Sequence, residues 1–364
     1  MKNSFVGVMV REFWGAWLIS VIALAAAYWI GTHSASGNAW AAVMAVLILG
    51  LFEVSISFDN AVVNAMVLKK QSNAFRLAFL TIGFLIGVVG MRLLLPLLIV
   101  AMTTGQSLSA VYDMAVNNPD EYSHQLHLHH VEVMLFGGAF LMMVALTWLF
   151  DHERAIHWLG GFERRLAALG KLSMLAAGVT LALVLVVVFM LDEAHRYVGL
   201  LAGTIGVVIY IIVGGLGDAL GDEGTDDALD VGDVSQLVKK GLSAAIATFT
   251  FLEVRDASFS FDGVIGAFAI SKDIFLIMLG LGVGAQWVRS LTIYFVKRDT
   301  LGEYRYLEHG AHWAILALAA LMLVSALREV PEAVTGLIGL VLIGLSFWSS
   351  IVARRKELKA SSHS

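Results

Sequence analysis

The sequence predicts an all-α polytopic membrane protein with about ten transmembrane helices in two inverted five-helix repeats. Three observations carry that prediction: an apolar composition, ten stretches long enough to span a bilayer, and an acidic motif that occurs twice. The chain has 364 residues, of which 59% are hydrophobic and 15% charged, with a mean hydropathy of +0.81. A soluble domain cannot hide that much apolar surface. The chain has no cysteine, which excludes disulfides and thiolate metal sites. Residues 14–31, "WGAWLISVIALAAAYWIG", are long enough to span, so this stretch is expected to stay as an anchor rather than be removed as a signal peptide.

A helical span needs ~20 apolar residues. Candidates lie near 14–31, 40–68, 75–103, 131–150, 173–191, 197–217, 241–270, 273–296, 310–328 and 333–352. With ten spans, both termini and the even-numbered connections share one side. That side holds 18 of the 24 Lys and Arg residues, the other side only Arg196, Lys272 and Arg328, and Arg92, Arg255 and Arg289 fall within spans. The bias predicts cytoplasmic termini in a bacterial-type inner (plasma) membrane. The expected division is residues 1–196 (spans 1–5) and 197–364 (spans 6–10), with a cytoplasmic acidic linker at 218–240.

The repeat is read from two stretches, "FEVSISFDNA" at 52–61 and "LEVRDASFSFDG" at 252–263. Aligned, Glu53 pairs with Asp256, Ser55 with Ser258, Ser57 with Ser260, Phe58 with Phe261 and Asp59 with Asp262. After a difference in loop length, Gly83 pairs with Gly280, Gly87 with Gly284 and Arg92 with Arg289. The motifs sit on spans 2 and 7. That separation is odd, so the copies cross the bilayer in opposite directions, as in secondary transporters with midplane sites between inverted repeats.

Span 2, at 29 residues, would reach about 44 Å as a continuous helix, against a ~30 Å hydrocarbon core. It must tilt, project or break. A locally unwound helix lining a cavity would suit the period-2 texture of "SISFDN". A continuous helix would instead put Glu53, Ser57, Asn60 and Asn64 on one face. In the second copy Glu253, Asp256 and Ser260 would cluster, with Arg255, Ser258 and Asp262 on another stripe.

Each ionised group at mid-bilayer costs ~2.5–3.5 kcal/mol on insertion scales, so such residues are functional by default. If ionised, Glu53, Asp59, Glu253, Asp256 and Asp262 carry −5, and Arg92, Arg255 and Arg289 return +3. The balance of −2 suits one divalent cation. The bland reading is a set of buried Arg–carboxylate pairs locking the repeats together, with Arg92–Glu53 and Arg289–Asp256 as the natural pairs. Carboxylate, hydroxyl and amide oxygens suit manganese, calcium or magnesium better than zinc or copper. Clustered carboxylates also suit proton exchange.

The string carried by Glu53, Ser55, Ser57, Asp59, Asn60 and Ala61, echoed by Asp256, Ser258, Ser260 and Asp262, resembles the TerC-like integral membrane family. That family is named for tellurium-ion resistance, several members are regarded as manganese exporters, and it is grouped with LysE-type transporters built from inverted repeats. The resemblance covers mainly spans 2, 3, 7 and 8. It implies Glu53, Asp59, Asn60 and Asp262 as metal-contacting positions. The second motif departs from the family's shorter Asp-Ser-x-Pro-Ala string, which puts the chain on a side branch.

Weaker signals favour bland readings. "HQLHLHH" places His124, His127, His129 and His130 in a loop on the non-cytoplasmic side, either an accessory metal loop or, preferred two to one, a polar surface. "GDALGDEGTDDALDVGD" lacks the ligand pattern of a calcium loop. "GLGD" at 215–218 matches a pattern of intramembrane aspartyl proteases, but the topology separates Asp218 from Asp113 of "YD" and disfavours that enzyme.

The expected function is therefore not enzymatic. It is secondary transport of a hard divalent cation, manganese efflux foremost, through a carboxylate site of Glu53, Ser57, Asp59, Asn60, Glu253, Asp256, Ser260 and Asp262. Arg92, Arg255 and Arg289 would compensate charge, and protons are a candidate coupling ion. Calcium or another cation/proton exchanger is the alternative, and a non-transporting membrane scaffold or metal-stress component is the reading from another class. The bilayer and the cation are the expected partners, with no organic cofactor and no nucleic acid. Homo-oligomerisation is left open.

Overall fold

The computed structural model describes residues 10–33, 38–69, 71–172, 174–221, 234–297, 304–328 and 330–361. Among the described residues every regular element is helical and there is no strand. In chain order these are α1 (Trp14–His33), α2 (Ala39–Ile56), α3 (Phe58–Lys69), α4 (Asn73–Ala78), two π-helical stretches π1 (Phe79–Gly83) and π2 (Ile86–Leu94), and α5 (Leu95–Thr104). Next come α6 (Leu108–Asn117), α7 (Pro119–Leu128), α8 (His130–Leu149), α9 (Gly161–Leu169), α10 (Leu175–Met190) and α11 (Glu193–Gly221). The last are α12 (Val234–Ile270), α13 (Ile274–Lys297), α14 (Leu307–Ser325) and α15 (Glu332–Ser361).

Eight helical segments are long and apolar enough to cross a membrane, and Leu175–Met190 is a shorter apolar helix. α12 has 37 residues, with Glu253, Arg255, Asp256 and Asp262 in its central stretch. All ten predicted spans fall on helix, eight of them on a single element each, while span 2 is divided between α2 and α3 and span 3 among α4, π1, π2 and α5. The chain is an all-α polytopic membrane protein.

Local sequence sets the breaks. Asn38 caps α2 by accepting from the Ala41 amide at 3.0 Å, and Ser72 caps α4 by accepting from Phe75 N at 3.2 Å. Such caps satisfy amides that a helix start leaves free. Gly105 ends α5 at φ 68°, a left-handed conformation that favours glycine. Span 2 breaks at Ser57, between α2 and α3.

Two predicted boundaries differ. The acidic linker expected at 218–240 is shorter, because α11 continues to Gly221 and α12 begins at Val234; residues 222–233 lie outside the described set. Helix-forming Ala219 and Leu220 carry α11 past the apolar stretch. The histidine run is not a loop: His124 and His127 lie on α7. Pro119 opens that helix with Asp120 and Glu121 in its first turn, a combination that favours helix initiation.

α8 and α13 are equally the most enclosed of the candidate spans, and α8 has α11 on one side and α14 on another. Phe140, Met143, Val184, Ile315 and Leu323 belong to its buried cluster. α1, α11 and α15 form the apolar exterior, exposing Trp14, Trp29, Ile212 and Trp348. Spans 2, 3, 7 and 8 pack together: α2 lies along α13, and π2 packs on both α12 and α13.

Glycines make that packing close. A Cβ on Gly284 would lie 2.4 Å from the Cβ of Glu53 and 2.6 Å from the Gly50 carbonyl oxygen. On Gly280 it would lie 2.4 Å from Leu49 Cβ. On Gly83 it would lie 2.5 Å from Glu253 Oε1, and on Gly87 2.9 Å from Arg289 Nη2. The four glycines matched in the repeat alignment are thus four close approaches between spans of opposite halves.

Candidate functional site: a charged cavity between the duplicated spans

Between spans 2, 3, 7 and 8 is a narrow, partly open cavity with room for about one water molecule. Glu53, Ser57, Asn60 and Asn64 form one wall, Gly87, Met91 and Arg92 another, and Asp256, Ala285, Val288 and Arg289 the rest. The predicted face of span 2 therefore lines one wall although the helix is interrupted at Ser57. The break and the shared face, read from sequence as alternatives, occur together.

Two ion pairs mirror each other across the cavity. Arg92 Nη2 donates to Glu53 Oε1 at 2.5 Å, and Ser57 Oγ donates to the same oxygen at 2.8 Å. Glu53 is 1% exposed, and its Oε2 is buried without a partner. In the second half Arg289 Nη2 lies 3.3 Å from Asp256 Oδ2 and 3.4 Å from Glu253 Oε2. Both pairs join matched positions, as the alignment predicts.

The arginines also bond to the backbone of span 3. Arg92 Nη1 donates to the Gly87 carbonyl at 2.7 Å. Arg289 Nη1 donates to the Phe79 carbonyl at 2.9 Å, with its guanidinium carbon 4.3 Å from the Phe79 ring centroid. A π-helical stretch displaces carbonyls from the regular ladder, and a polar group without a partner is costly in a bilayer.

Asn64 bridges the two halves. Its Nδ2 donates to Asp256 Oδ1 at 3.1 Å, and its Oδ1 accepts from Arg255 Nη2. Arg255 is 1% exposed. Sequence reasoning placed Asn64 on the right face but not among the site residues; the spacing from Glu53 and Asn60 was the available signal. Asn60 is buried on the same wall.

The remaining predicted positions fall as follows. Asp59 is the second residue of α3, and Ser260 and Asp262 lie on α12; the side chains of all three are outside the described set. Glu253 is buried behind the lining and contacts Arg289 rather than the cavity. Among the described residues no three His, Asp or Glu side chains gather as a metal-holding group. The histidine run offers one pair, His129 Nδ1 to Glu132 Oε1 at 3.5 Å, and does not meet the central cavity.

A second polar cluster was missed. Glu163 on α9 is fully buried. Its Oε1 accepts from Trp313 Nε1 at 2.8 Å and its Oε2 from Trp158 N at 2.8 Å. His309 lies 3.5 Å from Glu163 and 2.8 Å from the Ile156 carbonyl. Trp148 lies between Arg154, 3.8 Å from its ring centroid, and His312, stacked at 4.0 Å. Burial holds the Arg154 pKa below its ordinary value, with Glu163 opposing the shift. The cluster ties the 150–163 connection to α14. Three aromatics beside buried charge give no motif spacing, so no sequence signal marked it.

A family model described as "Protein of unknown function (DUF475)" matches residues 58–357. The match includes Asp59, Asn60 and the whole second motif but begins after Glu53 and Ser57. Comparison with curated proteins and comparison with solved structures each find no match. The chain belongs to the DUF475 family.

Proposed function

We propose that this DUF475-family protein is a secondary transporter of a hard divalent cation, with the central cavity as its binding site. One observation carries the reading: a narrow cavity lined by Glu53, Asp256, Arg92 and Arg289 lies where spans 2 and 3 meet spans 7 and 8. Midplane sites between inverted repeats are a general transporter architecture, and interrupted helices supply backbone oxygens there. The break of span 2 beside Ser57 fits that pattern.

Charge accounting supports a divalent substrate. Among the described side chains, Glu53, Glu253 and Asp256 are balanced by Arg92, Arg255 and Arg289. Asp59 and Asp262, the strictly matched pair, add −2 when ionised. The proposed ligands are Asp59, Asp262 and Asp256 with Ser57, Asn60 and Ser260. Glu53 and Glu253 bind arginine and set the charge of the empty site. Oxygen-only ligands favour manganese, calcium or magnesium over zinc and copper. The resemblance to the TerC-like family supports manganese and outward movement, and the charge bias of the connections supports cytoplasmic termini. Proton antiport follows if the aspartates take up protons as the cation leaves.

The experiment is cation flux in proteoliposomes with manganese, calcium, magnesium and zinc. Asp59→Asn and Asp262→Asn are each expected to lower manganese flux by about 10-fold or more, since an interaction with a charged ligand group is worth ~2 kcal/mol. Flux unchanged by both substitutions would overturn the site assignment.

The closed Arg92–Glu53 and Arg289–Asp256 pairs favour a second reading, a non-transporting scaffold in which the charges only lock the halves. In that case no cation moves, and the Asp59 and Asp262 variants differ from the parent in stability alone.

A further inference from the structure

Two apolar seals, one at each end of the four spans that line the cavity, differ in one respect. Spans 2 and 3 run antiparallel, as do spans 7 and 8, so the starts of α2 and α13 share an end of the bundle with α5 and the end of α12. At that end Leu49, Leu97, Val264, Phe268, Ile277 and Leu281 form a buried cluster. At the opposite end Leu68, Phe75, Phe79, Leu252 and Ile293 form another. Each seal draws on all four spans, as an inverted repeat requires.

Only the first seal carries an added element among the described residues. The α6–α7 hairpin, inserted between spans 3 and 4, places Val111, Ala115, Tyr122 and Leu126 in it, all at most 1% exposed. The Tyr122 ring meets Phe268 at 5.8 Å between centroids. The equivalent connection between spans 8 and 9 has nine residues between Lys297 and Leu307, against 25 between Thr104 and His130.

The hairpin's polar attachment is slight. Its ion pair to the span 7–8 connection, Lys272 Nζ to Asp120 Oδ1 at 3.3 Å, is largely exposed. The Tyr122 hydroxyl is buried with no hydrogen-bond partner, so the closed position carries a desolvation cost. The hairpin joins α5 at Gly105, φ 68°, where an added Cβ would meet nothing within 4 Å.

We propose that the α6–α7 hairpin is a hinged lid whose opening controls access to the central cavity from its own face, with Tyr122 as the keystone. The proposal deepens the transport reading and rests on it. The insertion makes the two faces unequal: one exit needs only spans to part, and the other also needs Tyr122 to leave the seal.

The natural absence of cysteine allows a direct test. In proteoliposomes carrying Asp120→Cys with Lys272→Cys, a cleavable bis-maleimide bridge is expected to lower manganese flux by about 10-fold relative to the unbridged sample, as expected for a gating element. Cleaving the linker should restore it. Complete bridging, verified by mass, with unchanged flux would overturn the lid.

A second measurement does not require transport. Met91→Cys places a thiol in the cavity wall, for labelling by a membrane-impermeant maleimide from the hairpin face. Adding Tyr122→Ala should speed labelling by about 10-fold, and adding Tyr122→Phe, which removes the unpartnered hydroxyl, should slow it. Equal rates in all three backgrounds would overturn the lid. If these rates differ while no variant moves any cation, the lid stands as a gate to the cavity and the transport reading fails.

Discussion

The two copies of the acidic motif are built on different backbones. In the first half, span 2 is broken at Ser57 and span 3 is π-helical over Phe79–Gly83 and Ile86–Leu94. In the second half, α12 and α13 run without interruption through the matched positions. The side chains are nonetheless nearly symmetric, with Arg92 on Glu53 and Arg289 on Asp256. The carbonyls bonded by both arginines, Gly87 and Phe79, belong to the irregular span 3. The regular half thus supplies a guanidinium that satisfies backbone in the distorted half. The charge pattern is shared by the two motif-bearing pairs of spans, while the π-helical irregularity is confined to span 3, one of the walls of the cavity, where such stretches often mark functional sites.

The largest expected effect tests this asymmetry. Arg289→Met takes the guanidinium from Glu253, from Asp256 Oδ2 and from the Phe79 carbonyl, leaving Asp256 only its Asn64 bond, and should destabilise the detergent-solubilised protein by ~3–5 kcal/mol, as for any broken buried pair. Arg92→Met abandons one carboxylate and one carbonyl, and should cost less. Thermal unfolding of the two variants side by side is the measurement, and equal losses would remove the distinction between the halves.

Next come the matched glycines. Gly284→Ala pushes a methyl against the Gly50 carbonyl and the Glu53 Cβ, so backbone must shift, at ~1–3 kcal/mol for overpacking. Gly87→Ala meets the tip of Arg289 at 2.9 Å, which can move. Gly284→Ala should therefore lower the unfolding temperature more, and the reverse order would show that span 3 is the more rigid side. The smallest effect belongs to Ser57→Ala, which removes one hydrogen bond to Glu53 at about 1 kcal/mol. It should shift stability slightly without altering the helix content seen by circular dichroism.

Sequence made the spans, the duplicated acids and the arginine partners legible because a bilayer penalises unpaired charge so heavily that each such residue is a signal. Glycine spacing was legible for the same reason of economy: Gly83, Gly87, Gly280 and Gly284 matched in order because close approach leaves no alternative residue. The π-helical course of span 3 was not legible, since "FLTIGFLIGVVGMRLL" suits an α-helix equally well by composition. Asn64 was seen only as a face neighbour, because its partners Arg255 and Asp256 lie across the repeat boundary and only tertiary structure brings them near. The α6–α7 hairpin was readable in part from Pro119, Asp120 and Glu121, but the histidine-rich polarity of the segment reads first as a surface loop and second as an accessory metal loop, and neither is a helix. Glu163 gave no signal, because its burial depends on Trp158 and Trp313 arriving from two separate segments.

The contact of Gly284 with Gly50 and Glu53 has a mechanical consequence. Two helices touching backbone to backbone, with no side chain between them to flex, travel as a single strut. α2 and α13 come from different halves of the sequence, so this strut crosses the boundary between residues 1–196 and 197–364, and any motion of the kind proposed for transport would have to carry both helices together.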